Sequence, residues 1–187
     1  KQSFERQKLK GLSTLLKRGY FEGDLNDDLI WITFSDQRMD RESALERSRL
    51  TFLTRWPALM LTISGTENFF SERFSTTGEK FAYLHLISDQ PEYSDEFRGQ
   101  FEASLDKLLV DSSLGCLVGT GRGKPDSYYF DLCLTDPDKA ISVLRQFCQQ
   151  QKLPKTCWLR FYDYFWNREW VRMLPDTPDL KEPTLMW

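Results

Sequence analysis

The sequence lacks most of what metal sites and cofactor sites require. It has a single histidine, His85, and no two of its cysteines are spaced as a CxxC pair. These absences exclude most zinc sites and most histidine-dependent catalytic arrangements. No motif typical of cofactor binding occurs, so we predict no cofactor. A run of about 18 apolar residues is also missing, so no membrane span is predicted.

A large excess of one charge is missing as well. The net charge is −3, of which residues 1–20 carry +5, so the remainder of the chain carries −8. So small a net charge argues against a general polyanion binder, and the acidic body favours a basic protein partner over DNA or RNA. We therefore predict no nucleic-acid partner.

Apolar and aromatic side chains are plentiful, at 40% and 14% of the residues. That content is sufficient for a hydrophobic core, and 187 residues suit a single domain. Four cysteines lie beside apolar neighbours in predicted strands or helices: Cys116, Cys133, Cys148 and Cys157. This placement predicts buried free thiols and a cytoplasmic location, because thiols stay reduced there.

Residues 114–164 carry the clearest structural pattern. Two apolar runs flank a glycine-rich turn, and in the second run, residues 128–134, apolar side chains alternate with others. This alternation predicts a strand with one buried face. A helix follows, with Asp136 as its N-cap, and ends before Pro154. Residues 157–162 complete a ββαβ unit, and the last strand has aromatic rings on both faces.

The glycine-rich segment Gly119–Lys124 invites comparison with loops that bind phosphate. A Walker-type loop needs four residues between its first glycine and the Gly-Lys pair, followed by Ser or Thr. Here the first glycine is one residue too close, and Pro125 follows the lysine. A hairpin turn is therefore predicted.

Other periodic stretches predict further elements. They are an N-terminal amphipathic helix over residues 1–20, a strand over 29–34, a helix from Asp40 to Trp56, strands over 58–63 and 81–87, and a helix beginning at Ser94. Together they predict one α+β domain over residues 1–187. In it, residues 29–120 form a ferredoxin-like βαββαβ arrangement, residues 121–164 continue a mixed or antiparallel sheet layered with helices, and residues 171–187 form an extended tail.

Two groups of residues are weaker candidates for chemistry. His85 lies in the middle of a predicted strand between leucines, so a histidine of the sheet is favoured over a catalytic base. The carboxylates Asp131, Asp163 and Glu169 would have to converge across adjacent strands to hold a catalytic metal ion. The sequence does not place them together.

The surplus of aromatic residues is the strongest functional signal. Tyr, Trp and Arg dominate the binding energy of protein interfaces, and they are concentrated in residues 158–170. We predict the following residues as partner-binding anchors: Trp158, Arg160, Tyr162, Trp166 and Trp170. A polar loop farther upstream holds Phe69, Phe70 and Phe74, which either tuck under the domain or mark a contact surface.

The C-terminal unit resembles a ferredoxin-like half of small bacterial immunity-type proteins. The resemblance is carried by the turn Gly119–Gly123, the strand Tyr128–Leu134, the helix Pro137–Gln150 and the Leu153-Pro154 pair. It implies a non-enzymatic cytosolic protein that neutralises a partner by binding it, and it implies no particular functional residues.

We therefore predict a non-catalytic protein-binding module, most specifically an immunity-type protein that neutralises a toxin. One alternative is a small metal-dependent enzyme acting on a phosphate ester. The other is an adaptor subunit whose N-terminal helix docks into a larger assembly. The inhibitor predicts tight association without divalent metal, the enzyme predicts the reverse, and the adaptor predicts that association is lost when residues 1–20 are removed.

Overall fold

The computed structural model describes residues 21–25, 30–34, 49–54, 59, 68–75, 78–88, 95–123 and 126–180. Within those ranges the strands are β1 (Phe21–Leu25), β2 (Ile30–Phe34), β3 (Arg49–Thr54), β4 (Lys80–Ile87), β5 (Gly115–Gly123), β6 (Ser127–Leu134), β7 (Cys157–Phe161) and β8 (Trp170–Arg172). The helices are α1 (Asp95–Asp111) and α2 (Pro137–Gln150), with a short 3-10 helix at Ser71–Arg73. None of the helices in this part of the chain is long and apolar enough to cross a membrane.

The eight strands form one sheet in the order β1-β2-β3-β5-β6-β4-β7-β8. Every neighbouring pair is antiparallel. Helix α1 connects β4 to β5, and α2 connects β6 to β7, so each helical connection passes over one intervening strand. The predicted α+β class is confirmed. The helix expected over residues 1–20 lies outside the described residues.

The helix predicted from Asp40 to Trp56 is wrong where the structure describes it. Residues 49–54 form β3, which pairs with β2 on one side and with β5 on the other. The physical reason is that β-branched residues such as Thr51 and Thr54 fit a sheet once partner strands are available, whatever the local apolar spacing. The strand expected over 58–63 also fails at Leu59, its one described residue, which has a helical backbone. The element order predicted over residues 29–120 therefore does not hold.

The other elements lie close to their predicted positions. Helix α2 has the expected N-cap: Asp136 Oδ1 accepts a hydrogen bond from the backbone N–H of Lys139 at 3.2 Å, and Pro137 is the first helical residue. The predicted hairpin between the two apolar runs is present, but the glycine-rich segment was predicted as its turn, and residues 119–123 are instead strand residues of β5 that pair with β3 and β6. The cap depends only on neighbouring residues, whereas the end of β5 depends on its partner strands.

The two helices cover one face of the central strands, which we call the helix face. The core on that face includes Leu84 and Leu86 of β4, Phe130 and Leu132 of β6, Leu159 of β7, Phe101 and Leu105 of α1, and Leu144 and Phe147 of α2. Burial of each such side chain stabilises the fold by roughly 1.5–3 kcal/mol. Alternation along the strands sends the intervening residues to the other face.

The segment after β7 is more ordered than the predicted extended tail. Residues 170–172 form β8, and Met173 is buried in the core. Thr177 Oγ1 donates to the carbonyl of Cys157 at 3.3 Å, and Trp158 Nε1 donates to the carbonyl of Pro178 at 2.8 Å. These contacts attach residues 173–180 to β7. Residues 181–187 lie outside the described part.

The cysteines divide into two kinds, which corrects the prediction of four buried thiols. Cys148 and Cys157 are buried between α2 and β7, whereas Cys116 and Cys133 are only half-buried on β5 and β6. All four are free thiols. The prediction failed for Cys116 and Cys133 because they lie away from the helix face and near the end of the β5–β6 ladder, a position that neighbouring apolar residues in the sequence do not reveal.

Candidate functional site

The central sheet has a second face, on the side away from the helices, which we call the opposite face. It is also buried. Strand register places its side chains in two rows, the first formed by Asp131, Tyr83 and Arg160 and the second by Tyr129, His85 and Trp158. All six are buried. The aromatic and polar residues of β4, β6 and β7 therefore form a second packed layer instead of a solvated surface.

Asp131 is a fully buried hydrogen-bond acceptor. The hydroxyl of Tyr162 donates to its Oδ1. Its Oδ2 lies over Gly119, where an added Cβ would come within 2.9 Å of that oxygen and 2.7 Å of the carbonyl oxygen of Leu53. Glycine is needed at 119 because no other residue leaves room for the carboxylate. Asp131 thus holds Tyr162 against the sheet.

Arg160 is buried beside Tyr83, with its guanidinium carbon 5.6 Å from the centroid of the tyrosine ring. Its terminal nitrogen donates to the carbonyl of Asn167 at 3.4 Å, and its Nε has no hydrogen-bond partner among the described residues. A guanidinium in this setting is held by ring contact and one long hydrogen bond. It does not face a partner protein.

Of the five predicted anchors, Trp158, Arg160 and Tyr162 have buried side chains and are unavailable to a partner. Trp170 is partly buried on β8 and lies beneath the guanidinium of Arg172. Trp166 reaches the surface. The structure therefore divides the predicted set, and the exposed part of it lies in the turn that follows β7.

Three exposed rings lie on that turn, and the half-buried ring of Phe70 contacts two of them. We call these four residues the aromatic patch: Phe70, Tyr164, Phe165 and Trp166. Phe165 is 79% exposed, Tyr164 45% and Trp166 43%. The centroid of the Phe70 ring lies 5.8 Å from that of Tyr164 and 5.9 Å from that of Phe165. Two segments distant in sequence thus contribute to one apolar surface.

Asp163 ties these two segments together. Its Oδ1 accepts from the backbone N–H of Ser71 at 2.7 Å, and its Oδ2 accepts from the Ser71 hydroxyl. Next to it, the N–H of Tyr164 donates to the carbonyl of Phe69 at 2.8 Å. Phe69 is buried and packs edge-on against Phe81, with ring centroids 5.2 Å apart. The patch is therefore anchored by a buried carboxylate and a buried ring.

The turn itself is closed by backbone hydrogen bonds. The N–H of Trp166 donates to Asp163 O at 2.8 Å, and the N–H of Glu169 donates to Trp166 O at 2.9 Å. Trp166 packs edge-on against Phe161, with centroids 5.4 Å apart. The indole is held by these contacts while Phe165 projects into solvent. Rings fixed before binding lose less conformational entropy when a partner arrives.

Charges of both signs surround the patch. The guanidinium carbon of Arg73 lies 4.6 Å from the centroid of Phe70, and Lys80 Nζ lies 5.5 Å from that of Trp166. Lys80 also pairs with Glu72 at 3.7 Å. Such an apolar centre with a charged rim is the usual composition of a protein interface.

The candidate catalytic groups do not assemble. Asp131 is bonded to Tyr162, Asp163 to Ser71, and Glu169 is exposed. Across the described ranges, no three His, Cys, Asp or Glu residues are grouped so that they could hold a metal ion. His85 stacks on Tyr129, with ring centroids 4.6 Å apart and planes at 12°, so it packs as a flat ring within the opposite face.

A cavity of about 140 Å³ lies between α1 and β5. Glu102 and Asp106 project into it from the helix. Burial raises the pKa of Glu102, and the nearby Arg98 guanidinium, at 3.3 Å, partly offsets that rise. Asp106 Oδ1 accepts from the backbone N–H of Leu117 at 2.8 Å, beside the irregularity in β5. Both acids thus have partners within the chain.

Sequence reasoning found Trp166 but did not select Tyr164, Phe165 or Phe70 as anchors. The available signals were the polar Asn167-Arg168-Glu169 turn after the last strand and the surplus of phenylalanine at residues 69–74. No family model, no curated protein and no solved structure matches the chain.

Proposed function

We propose that the chain is a non-catalytic protein-binding module whose contact surface is centred on the aromatic patch. The observation that carries the proposal is the exposure of Phe165 and its neighbours on a turn fixed by Asp163. A ring that stays exposed to water contributes little to the stability of the fold. Contiguous exposed rings are typical of interaction sites. Trp and Tyr are among the most frequent hot-spot residues.

The way the patch is held supports binding rather than simple exposure. Ser71 and Asp163 are both buried. The two loops that carry the rings therefore cannot separate without breaking the hydrogen bonds of the Asp163 carboxylate. The rim supplies Glu72, Arg73 and Lys80, charges of both signs, for contacts with a partner. A rigid apolar centre with a polar rim is what a specific interface requires.

The narrower proposal is an immunity-type protein that neutralises a basic toxin in the cytoplasm. It is supported by the charge of −8 outside residues 1–20, which would attract a basic partner. It is also supported by residues 80–161, whose element order β-α-β-β-α-β and strand order β5-β6-β4-β7 agree with a ferredoxin-like arrangement.

The test of binding compares three forms of the chain: the unaltered protein, the double variant Phe165→Ala/Trp166→Ala, and Val110→Ala. Val110 is an exposed apolar residue on α1 outside the patch, at 54% exposure, so it serves as the matched control. Each form is used for affinity capture from the native source, and a retained partner is then purified and titrated by calorimetry.

We expect one stoichiometric partner that binds the unaltered chain and the control equally. Loss of two hot-spot rings should weaken binding by at least roughly 30-fold, the equivalent of about 2 kcal/mol. Equal affinity of all three forms for the same partner would contradict a role for the patch. Capture of nothing by the unaltered chain would remove the support for a binding module.

A second measurement separates the narrower proposal from the broader one. The toxic or catalytic activity of the purified partner is followed while the chain is added up to and beyond one equivalent. An immunity-type protein abolishes the activity at one equivalent. A partner that stays fully active when saturated contradicts neutralisation and leaves protein binding intact.

A further inference from the structure

The four cysteines are arranged as two facing pairs. Cys116 and Cys133 are register partners across β5 and β6. Cys148 and Cys157 face each other between α2 and β7, where their thiols are hydrogen-bonded. Since no CxxC spacing occurs, this pairing is produced entirely by the fold.

The backbone geometry of the first pair suits a disulfide. The N–H of Thr135 donates to the carbonyl of Leu114 at 3.0 Å, and these two residues continue the register of Cys116 and Cys133. Hydrogen-bonded and non-hydrogen-bonded pairs alternate along an antiparallel ladder, so Cys116 and Cys133 are again a hydrogen-bonded pair. Such a pair holds its Cα atoms about 5.5 Å apart, within the roughly 4.4–6.8 Å found in disulfides. Its Cβ atoms lie at the wide end of the roughly 4.5–5.5 Å spacing of facing residues, so the two strands must approach each other slightly when the bond forms.

Access distinguishes the two pairs. Cys116 and Cys133 are both half-buried, so a small reagent can reach them from solvent. Cys148 and Cys157 are fully buried beneath α2. Both pairs have their sulfurs adjacent, but only the first can meet an oxidant while the protein is folded.

The two thiols of the accessible pair contact each other. The pKa of Cys133 is raised well above its usual range, first because its thiol is hydrogen-bonded to Cys116 and second because it is desolvated. The Glu79 carboxylate nearby adds to this rise. The hydrogen bond places the two sulfurs next to each other, as formation of a disulfide between them requires.

We propose that Cys116 and Cys133 are a redox modification site, which forms a reversible disulfide across β5 and β6 by exchange with a low-molecular-weight disulfide such as oxidised glutathione. The thiolate of one cysteine of the pair attacks one glutathione sulfur, forms a mixed disulfide and releases a glutathione thiolate. The other cysteine, as its thiolate, then attacks the protein sulfur of that mixed disulfide and expels the second glutathione, while the protons of the two protein thiols pass to the departing thiolates. Two protein thiols are oxidised, and one glutathione disulfide is reduced to two thiols.

The test uses the full chain, equilibrated in buffers of reduced and oxidised glutathione, quenched with acid, alkylated and digested for mass spectrometry. We expect a linked peptide pair containing Cys116 and Cys133, whose yield rises with the proportion of oxidised glutathione and falls again with excess dithiothreitol. Cys148 and Cys157 should be alkylated only after denaturation. Absence of the linked pair in the most oxidising buffer would overturn the proposal.

Two single variants check which cysteines the bond joins, and one double variant serves as the matched control. Cys116→Ser and Cys133→Ser should each form no linked peptide pair and should carry glutathione on the remaining cysteine of the pair. Cys148→Ala/Cys157→Ala should form the Cys116–Cys133 link as the unaltered chain does. An intrachain link of unchanged yield in either single variant would overturn the assignment of the bond to Cys116 and Cys133. The measurement on the unaltered chain tests whether the disulfide forms, even if a variant does not fold.

Discussion

Two adjacent stretches near the C-terminus have similar residue types and opposite environments. Residues 157–162 contain Trp158 and Tyr162, which are 4% and 1% exposed. Residues 164–168 contain Phe165 and Trp166, which are 79% and 43% exposed. The first stretch lies in the sheet between β4 and β8, and the second leaves the sheet after the Asp163 contact. Strand pairing, rather than aromatic content, decides which rings are available to a partner.

The largest effect that separates the two stretches is on stability. Trp158→Ala should lower the free energy of unfolding by about 3–5 kcal/mol, because it leaves a cavity and removes the hydrogen bond to Pro178. Trp166→Ala should cost about 1 kcal/mol or less, because the indole is partly solvated already. Urea denaturation followed by circular dichroism measures both. Equal losses would mean that the turn is as much a part of the core as β7.

A glycine pair tests how closely the opposite face is packed. Gly119→Ala should cost about 1–3 kcal/mol, because its Cβ would lie 2.7 Å from a backbone oxygen that cannot move freely. Gly99→Ala, on α1 with no atom within 4 Å of the new Cβ, should instead stabilise the protein by about 0.5–1 kcal/mol. Thermal unfolding of the two variants should therefore shift in opposite directions. A shift in the same direction would show that the backbone at 119 relaxes.

Removal of the Tyr162 hydroxyl tests the buried contact at the end of β7. Tyr162→Phe should cost about 1–3 kcal/mol, because the Asp131 carboxylate loses a donor in a site closed to water. Tyr164→Phe, two residues later and exposed, is the matched control and should change stability by less than about 0.5 kcal/mol. Chemical denaturation of both variants makes the comparison. Equal stabilities would show that the hydrogen bond contributes nothing.

Arg160 gives a smaller effect of opposite sign. Arg160→Met removes a buried charge that has one long hydrogen bond and no carboxylate partner among the described residues, and it keeps most of the side-chain volume. We expect the free energy of unfolding to stay the same or rise by about 1 kcal/mol. Calorimetric unfolding checks this. A loss of more than about 2 kcal/mol would show that the contact with Tyr83 and Asn167 is essential to the fold.

The smallest expected effect is the pH dependence contributed by Glu102. Burial raises its pKa in the folded protein, so the folded state binds this proton more tightly than the unfolded state. The stability it contributes is present at pH values below its unfolded pKa and falls as the pH rises through the raised pKa. The free energy of unfolding of Glu102→Gln relative to that of the unaltered chain should therefore increase as the pH rises from about 4 to 7, measured by urea denaturation of both forms. A difference that decreases over that range would contradict the direction of the shift.

Much of the fold could be predicted where the determining residues are neighbours in sequence. Asp136 and Pro137 define the start of α2, and the alternation of residues 128–134 defines β6. The helix predicted over residues 40–56 is wrong over residues 49–54, which form β3 because β2 and β5 are available as partner strands. The hydroxyl of Thr54 donates to the carbonyl of Val118, 64 residues later, and no local pattern reports such a partner.

The candidate site was only partly predictable for the same reason. The surplus of rings in residues 158–170 is visible in the sequence, but the burial of Tyr162 and the exposure of Tyr164 depend on where β7 ends. That boundary is fixed by the contact of Asp163 with Ser71, 92 residues earlier in the chain. The contact between Asp163 and Ser71 also brings Phe70 into the patch, and no local sequence pattern indicates that contact.

The strand order has a consequence for synthesis on the ribosome. β3 emerges with one neighbour, β2, already made, but its other neighbour, β5, follows about 64 residues later. At about 5–20 residues per second, its second edge stays unpaired for roughly 3–13 seconds. Both edges of β4 likewise stay unpaired until β6 and β7 have been synthesised. Because an unpaired strand edge is a template for association with other chains, the nascent protein is most prone to aggregate before β5 and β6 have emerged.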